Sequence, residues 1–317
     1  MGSRENPDGG AGLDTAESKT AIRLATFDQF RSLLFSVAYR MLGSIADAED
    51  MLQETFIRWQ QTPDGEIRSP RAFLVTIISR LCINHLQSAR VQREEYAGQW
   101  LPEPLVTDSK GDPFHVIRVD ESLSMAFLVL LERLTPVERA VFLLREVFDY
   151  EYGEISAVVG QSAVNCRQIL KRARKHVDAM RPRFQVPERK KKDLLDRFLE
   201  ATTGDGDMRG LLGLLAKDAT LYADGGGKGV AVPNLISGAD RVARGVLGGL
   251  KKLVPADLVR RVAVVNGEPG VVSYRNGKPF AVTTIECRDG LVHAIYIVSN
   301  PDKLAHIPSL SDELAIN

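Results

Sequence analysis

Between Asn165 and Phe184 the 317-residue chain carries seven Lys or Arg (Arg167, Lys171, Arg172, Arg174, Lys175, Arg181, Arg183) against one acid, Asp178. Cations at that density neutralise phosphates, so the chemistry on offer is nucleic-acid binding. Tyr152 to Val177 has the architecture of a helix-turn-helix, with Gly160 at the turn and Ser162 as the hydroxyl N-cap of the basic second helix. With Ile155, Val158, Val159, Cys166, Ile169 or Leu170, and Ala173 packed inward, Ala163, Val164, Asn165, Arg167, Gln168 and Lys171 would face a major groove. Arg172, Arg174 and Lys175 would reach phosphates.

A second patch has the opposite sign. Asp47, Glu49, Asp50, Gln53 and Glu54 crowd the polar side of a predicted helix whose apolar stripe is Ala48, Met51 or Leu52, Thr55, Phe56 and Trp59. Such a face repels phosphate and complements a basic surface on a protein partner. A third group, Arg71, Arg80, Asn84, Arg90 and Arg93, lies along one long predicted helix beside the 61–68 loop, a positive surface suited to unstacked bases. Asn84, set among Leu81, Ile83 and Leu86, suits a structural hydrogen bond equally well.

Acid–base chemistry has candidates too. Asp224 or Glu286 could act as base, with Tyr222, Tyr274, Tyr296 or His293 as donors, yet no spacing singles out a pair. Asp224-Gly225-Gly226-Gly227-Lys228 is not a phosphate loop, because Gly229 follows the lysine and Pro233 blocks an immediate helix. Cys82, Cys166 and Cys287 have no CxxC spacing, so no disulfide framework, metal site or cofactor is expected.

The elements that must hold these groups follow from periodicity. Composition is ordinary for a globular chain, 44 % hydrophobic and 26 % charged with zero net charge. Residues 1–23 are polar and Gly-rich at the start and read as a disordered tail. Residues 24–95 contain three helical runs (Thr26 to Met41, Ser44 to Gln60, Arg71 to Glu95), and 96–120 a Pro-rich linker. Residues 121–183 resume as four helices, and 184–189 form a second linker. Residues 190–317 hold two helices and then β-type runs separated by Asn266-Gly267, Asn276-Gly277 and Asp289-Gly290, strong hairpin signals. The expected fold is multidomain: two all-α units and a C-terminal α+β unit with a curved antiparallel sheet. No apolar run is long enough to span a bilayer and the opening residues lack a signal core, so a cytoplasmic protein without membrane contact is expected.

Three collinear motifs carry a family resemblance. Asp47-Ala48-Glu49-Asp50-Met51-Leu52-Gln53-Glu54-Thr55-Phe56 resembles region 2.2 of an extracytoplasmic-function (ECF) sigma factor. Ser69-Pro70-Arg71-Ala72-Phe73-Leu74 resembles the start of that family's promoter-opening helix. Leu134 to Phe142 with the helix-turn-helix resembles region 4, the -35 reader. Phe73 stands where the family often has Trp, and Ile169 where Arg is common. The remaining third resembles a SnoaL-like cone. Trp100-Leu101-Pro102-Glu103-Pro104, Asp224 to Lys228, and Asn300-Pro301-Asp302-Lys303-Leu304 resemble motifs of the SigJ-type subgroup that carries this extension.

The resemblance implies an alternative sigma factor whose partners are core RNA polymerase and promoter DNA. Asp47, Asp50, Gln53 and Glu54 are then expected to contact polymerase. Arg71, Arg80, Asn84, Arg90 and Arg93 would contact the -10 element, and Ser162, Asn165, Arg167, Gln168, Lys171, Arg172, Arg174 and Lys175 the -35 element. It further implies that the C-terminal domain replaces a separate anti-sigma protein, through contacts at Trp100, Pro102, Glu103, Asp224 to Lys228, Asn300, Pro301, Asp302 and Lys303. Its pocket is a candidate site for a small-molecule ligand. The competing reading is a helix-turn-helix regulator with a ligand-sensing or isomerase/cyclase-like C-terminal domain; catalysis is not expected.

Overall fold

The computed structural model describes residues 11–63, 67–94, 96, 98–107, 123–178, 187–203, 206–232, 234–253 and 257–310. Helices α1 (Ala11–Leu42), α2 (Ile45–Gln61) and α3 (Pro70–Glu94) pack around Leu34, Ala38, Leu52, Trp59, Leu74 and Ile78. Helix α1 begins at Ala11, so residues 11–23, expected as part of a tail, are helical, while 1–10 lie outside the described residues. Arg23 fixes its course: the guanidinium donates to the carbonyls of Trp59, Gln60 and Thr62 at the end of α2 and lies over the Trp59 ring. A cation at a helix C-terminus is favoured by the orphan carbonyls there. Ser44 caps α2, its hydroxyl accepting from Asp47 N.

Helices α4 (Met125–Leu131), α5 (Pro136–Glu146), α6 (Tyr152–Val159) and α7 (Ala163–Asp178) form the second helical unit. Thr135 and Glu138 close a capping box on α5, and Gly160, left-handed at φ 67°, ends α6. The two helical units share one continuous apolar core, running from Phe27 to Val177. Arg139 on α5 is buried within it and donates to Met41 O at 2.5 Å and Glu132 at 2.7 Å.

The C-terminal unit starts with α8 (Glu188–Ala201) and α9 (Met208–Leu214), so α8 takes in the last two residues of the expected 184–189 linker. A six-stranded sheet follows, ordered β2-β1-β6-β5-β4-β3, from β1 (Leu215–Asp224), β2 (Ile236–Ser237), β3 (Val259–Val265), β4 (Glu268–Arg275), β5 (Lys278–Arg288) and β6 (Leu291–Val298). Strands β3 to β6 are the antiparallel meander, its hairpins turning at Asn266, Asn276 and Asp289 with positive φ. Strand β1 runs parallel to β6, because α10 (Ala239–Leu253) carries the chain across the sheet before the meander starts. Helix α10 was not read from the sequence, although Val242, Ala243, Val246 and Leu247 recur at helical spacing; Gly245, Gly248 and Gly249 lower its helix propensity without breaking that stripe.

The sheet has two occupied faces. Helices α8, α9 and α10 bury Leu195, Phe198, Leu211, Val242 and Val246 against Leu221, Val271, Ile285 and Ile295. The other face, with Val272, Tyr274, Val282, Tyr296 and Val298, takes Leu101 and Val106 of the linker and Met125 of α4. This is an α+β arrangement, helices on one face of the sheet and the linker with the helical units docked on the other. Linker residues 99–107 are therefore packed chain and not a free tether, while 108–120 lie outside the described residues.

Candidate functional site

The basic helix presents the face its spacing predicts. Cys166, Ile169, Leu170, Ala173 and Val177 are buried, while Val164, Arg167, Gln168, Lys171, Arg172, Arg174 and Lys175 are exposed. Ile169 therefore lies on the core side, away from the reading surface. Ser162 Oγ accepts from Asn165 N at 3.2 Å, and Asn165 Nδ2 donates to Gln161 at 2.8 Å. The Arg167 guanidinium lies 4.7 Å from the Tyr152 ring centre, and Arg174 pairs with Glu146 at 2.7 Å. Arg181 and Arg183 lie outside the described residues.

On α2, Asp50 and Gln53 are exposed and Glu54 pairs with Arg58 at 2.7 Å. Asp47 faces His85 of α3 at 3.5 Å. The exposed Ile57 adds an apolar spot to this acidic face.

Two of the α3 arginines, though exposed, are engaged within the chain. Arg80 donates to Val158 O at 3.0 Å and Ala157 O at 2.6 Å, the free carbonyls at the end of α6, and Arg71 lies 4.9 Å from the Tyr150 ring centre. Asn84 is exposed in the crevice between α3 and the α6 turn, so the structural hydrogen bond entertained for its side chain is not what the fold uses it for. The side chains of Arg90 and Arg93 lie outside the described residues.

The three short motifs converge in one buried clamp. Asp224, wholly buried, accepts from Tyr96 OH (2.6 Å), Gly226 N (3.0 Å), Leu101 N (2.9 Å) and Lys303 Nζ (2.7 Å). The Lys303 ammonium also donates to Leu101 O and sits 4.1 Å from the Trp100 ring centre, so cation, anion and aromatic ring enclose the linker backbone. Asn300 Nδ2 donates to Tyr96 OH at 2.8 Å, and Lys228 pairs with Asp302 at 2.6 Å outside the buried centre. Pro301 opens the short helix α11 (Pro301–Leu304) that delivers Lys303, and Gly225 and Gly227 shape the loop that returns Gly226 to Asp224.

From the clamp the linker reaches the acidic helix. Glu103 accepts from Ile45 N at 2.7 Å and Ser44 Oγ at 3.0 Å, placing a carboxylate on the N-terminus of α2, and Glu103 N donates to Gly43 O at 2.8 Å. Burial pushes the Glu103 carboxyl above the usual carboxylate range. Pro102 and Trp100 press on Gly43, where φ is 67° and an added Cβ would come within 2.8 Å of the indole. Beyond Glu103, Leu105 and Asn266 exchange hydrogen bonds, and Val106 bridges Val265 at the β3 edge.

Several members of this network carried no sequence signal. Tyr39, Tyr96, Gln99, Asn266 and His306 all bind the linker or its partners, and each reaches a residue more than 60 positions away. Asn266 could be read only as a hairpin residue.

A cavity of about 110 Å³ lies on the helix-covered face of the sheet, lined among others by Phe198, Ala223, Val230, Arg260, Ile297 and Ser299. None of the acid–base candidates lines it. Asp224 is in the clamp, and Glu286 receives the Tyr296 hydroxyl at 3.3 Å on the opposite face, where Tyr222 stacks on Tyr296. Burial raises the Glu286 carboxyl as well.

An exposed basic recognition helix on one helical unit, an acidic helix on the other and a clamped linker between them and the sheet define a promoter-specificity factor with a fused α+β domain. The chain belongs to the extracytoplasmic-function RNA polymerase sigma factors. Residues 26–91 match the family described as Sigma-70 region 2, and 124–177 match Sigma-70, region 4. The chain is 37 % identical to the ECF RNA polymerase sigma factor SigJ of Mycobacterium tuberculosis, over 90 % of its own length and 95 % of the relative's. It is 33 % identical to the probable ECF RNA polymerase sigma factor SigI of the same species, over 88 % and 94 %. The crystal structure of Mycobacterium tuberculosis SigJ superposes with a TM-score of 0.73 at 35 % identity, covering 89 % of this chain and 98 % of that one. The protein is an alternative sigma factor that binds RNA polymerase for promoter recognition, and the free-standing helix-turn-helix regulator is not favoured. Among the described residues no helix is long and apolar enough to cross a membrane.

Proposed function

We propose that residues 24–95 bind core polymerase and the -10 element, 121–183 read the -35 element, and 190–317 modulate both in place of a separate anti-sigma protein. Asp47, Asp50, Gln53 and Glu54 make the polymerase contact, and the exposed side chains of α7 from Arg167 to Lys175 read or grip the -35 duplex. Arg71, Arg80 and Asn84 serve the -10 strand once α6 has moved away. The cavity in the α+β domain takes a small ligand. As a partner of RNA polymerase the protein works in the cytoplasm.

The observation that carries this reading is the pair of Arg80 hydrogen bonds to α6. A cation meant for a displaced DNA strand is spent on region 4 of the same chain while the linker is clamped. Promoter opening and this arrangement exclude each other, so the clamp acts as a brake. Reconstituted transcription with bacterial core polymerase on a promoter library tests it. The full chain should give promoter-specific transcripts weakly and Asp224→Ala strongly; equal output from the two would overturn the brake, and none from either the promoter assignment.

A further inference from the structure

Strands β1 and β6 are neighbours in register, Tyr222 against Tyr296 and Ala223 against Ile297, and their side chains alternate between the two faces of the sheet. Leu221, Ala223, Ile297 and Ser299 line the cavity. Their immediate neighbours Asp224 and Asn300 hold the linker. The two sets are also joined through the backbone, since Ser299 N (2.8 Å) and Asn300 N (3.1 Å) both donate to Asp224 O. The loop after Asp224 repeats the pattern. Its first half bonds Asp224 through Gly226 N and pairs Lys228 with Asp302, while Val230, Ala231 and Val232 wall the cavity; Ser299 Oγ ties the halves by donating to Val230 O at 2.8 Å.

The lining also specifies a ligand chemistry. Phe198, Leu221, Val246, Val271, Phe280 and Ile297 are apolar, and Arg260 is the one charged side chain among the lining residues. Arg260 donates to Thr203 Oγ1 at 3.2 Å, and no carboxylate among the described residues pairs with it. Burial lowers its pKa with no anion to offset that cost. A cavity of this size accommodates about one ring or a short alkyl chain.

We infer that the cavity binds a small carboxylic acid with an apolar body, its carboxylate on Arg260, and that occupancy tightens the clamp on residues 99–106. This rests on the pocket reading above and deepens it. The Asp224 to Val232 loop and the 297–300 segment wall the cavity and hold the linker at once, so a molecule that fits these walls favours the clamped form by its differential affinity.

The test uses full-length protein with phenylacetate and octanoate, against phenylacetamide and octanol as uncharged counterparts. Titration calorimetry reads binding, and amide hydrogen exchange reads residues 99–106. The acids should bind about tenfold more tightly than their counterparts, a preference lost in Arg260→Gln. Exchange over 99–106 should slow severalfold with acid. Gly249→Leu, which projects into the cavity from a position with no atom near its Cβ, should abolish binding. Equal binding of acids and counterparts overturns the carboxylate assignment and leaves a ligand pocket standing. Acid binding with unchanged or faster exchange overturns the coupling alone. Failure of every probe to bind overturns the pocket reading together with this one.

Discussion

Tyr39 and Asn266, 227 residues apart, meet at 2.7 Å in the buried seam where all three units of the chain join. The Tyr39 hydroxyl accepts from Asn266 Nδ2 and donates to Glu103 O at 2.6 Å, so one phenol on α1 holds the linker and the β3–β4 hairpin together. Tyr39→Phe leaves a buried amide and a buried carbonyl short of a partner, at a cost of about 1–3 kcal/mol. Urea unfolding should show a lower midpoint with an unchanged slope. Asn266→Ala added to Tyr39→Phe should cost less than the sum of the single changes; strict additivity would mean the contact contributes nothing.

Asp224→Ala leaves the Lys303 ammonium buried without its anion, which costs about 3–5 kcal/mol. Amide exchange over 99–106 should rise, and Lys303→Met in the same background should recover part of the stability. Unchanged exchange would remove the clamp from the account.

Asp50→Ala with Glu54→Ala should weaken binding to core polymerase while leaving the thermal midpoint within about 1 °C, since surface changes of this kind alter stability little. Fluorescence anisotropy against core polymerase reads the effect, and unchanged affinity would move the docking surface elsewhere.

Arg167→Ala should reduce discrimination at one -35 position by about 1–3 kcal/mol if the guanidinium reads a base. Competition binding with single-base variants of the promoter measures it. A uniform loss on all sequences would assign Arg167 to a phosphate.

Glu103 and Glu286 both hold their protons to higher pH in the folded chain than in the unfolded one, chiefly through burial. Folding therefore takes up protons between the ordinary carboxylate pKa and the raised values. The stability tied to these protons is complete below that window and is lost as pH rises through it. Glu103→Gln retains an oxygen acceptor for Ile45 N and should flatten this slope, with Glu286→Gln flattening the remainder. Chemical denaturation from pH 4 to pH 7.5 in steps gives the comparison, and an unaltered slope in the double variant would contradict it.

The parts of the fold that were legible rest on neighbours in sequence. Thr135 and Glu138 cap α5 three residues apart, and the turn residues Asn276-Gly277 set a hairpin. The buried and exposed sides of α7 follow from helical spacing. Helix α10 escaped notice because its three glycines argue against helix by propensity, although Val242, Ala243, Val246 and Leu247 keep helical spacing; Arg23 of α1 finds its partners only at the far end of α2. The parallel pairing of β1 with β6 needed the crossover that α10 supplies.

The site divides along the same line. The sequence by itself determined the charges and their faces: a basic recognition helix, an acidic α2, and three motifs whose residues do converge on the linker. Only the tertiary structure decided what those groups touch. It turned Arg80 onto α6, put Asp224 on the clamp side of the sheet and Arg260 on the cavity side, and enlisted Tyr39 and Asn266. Local spacing sets which side of a helix or strand a residue occupies, but a contact across more than 60 positions is chosen by the packing of whole faces, and no short stretch of chain contains that information.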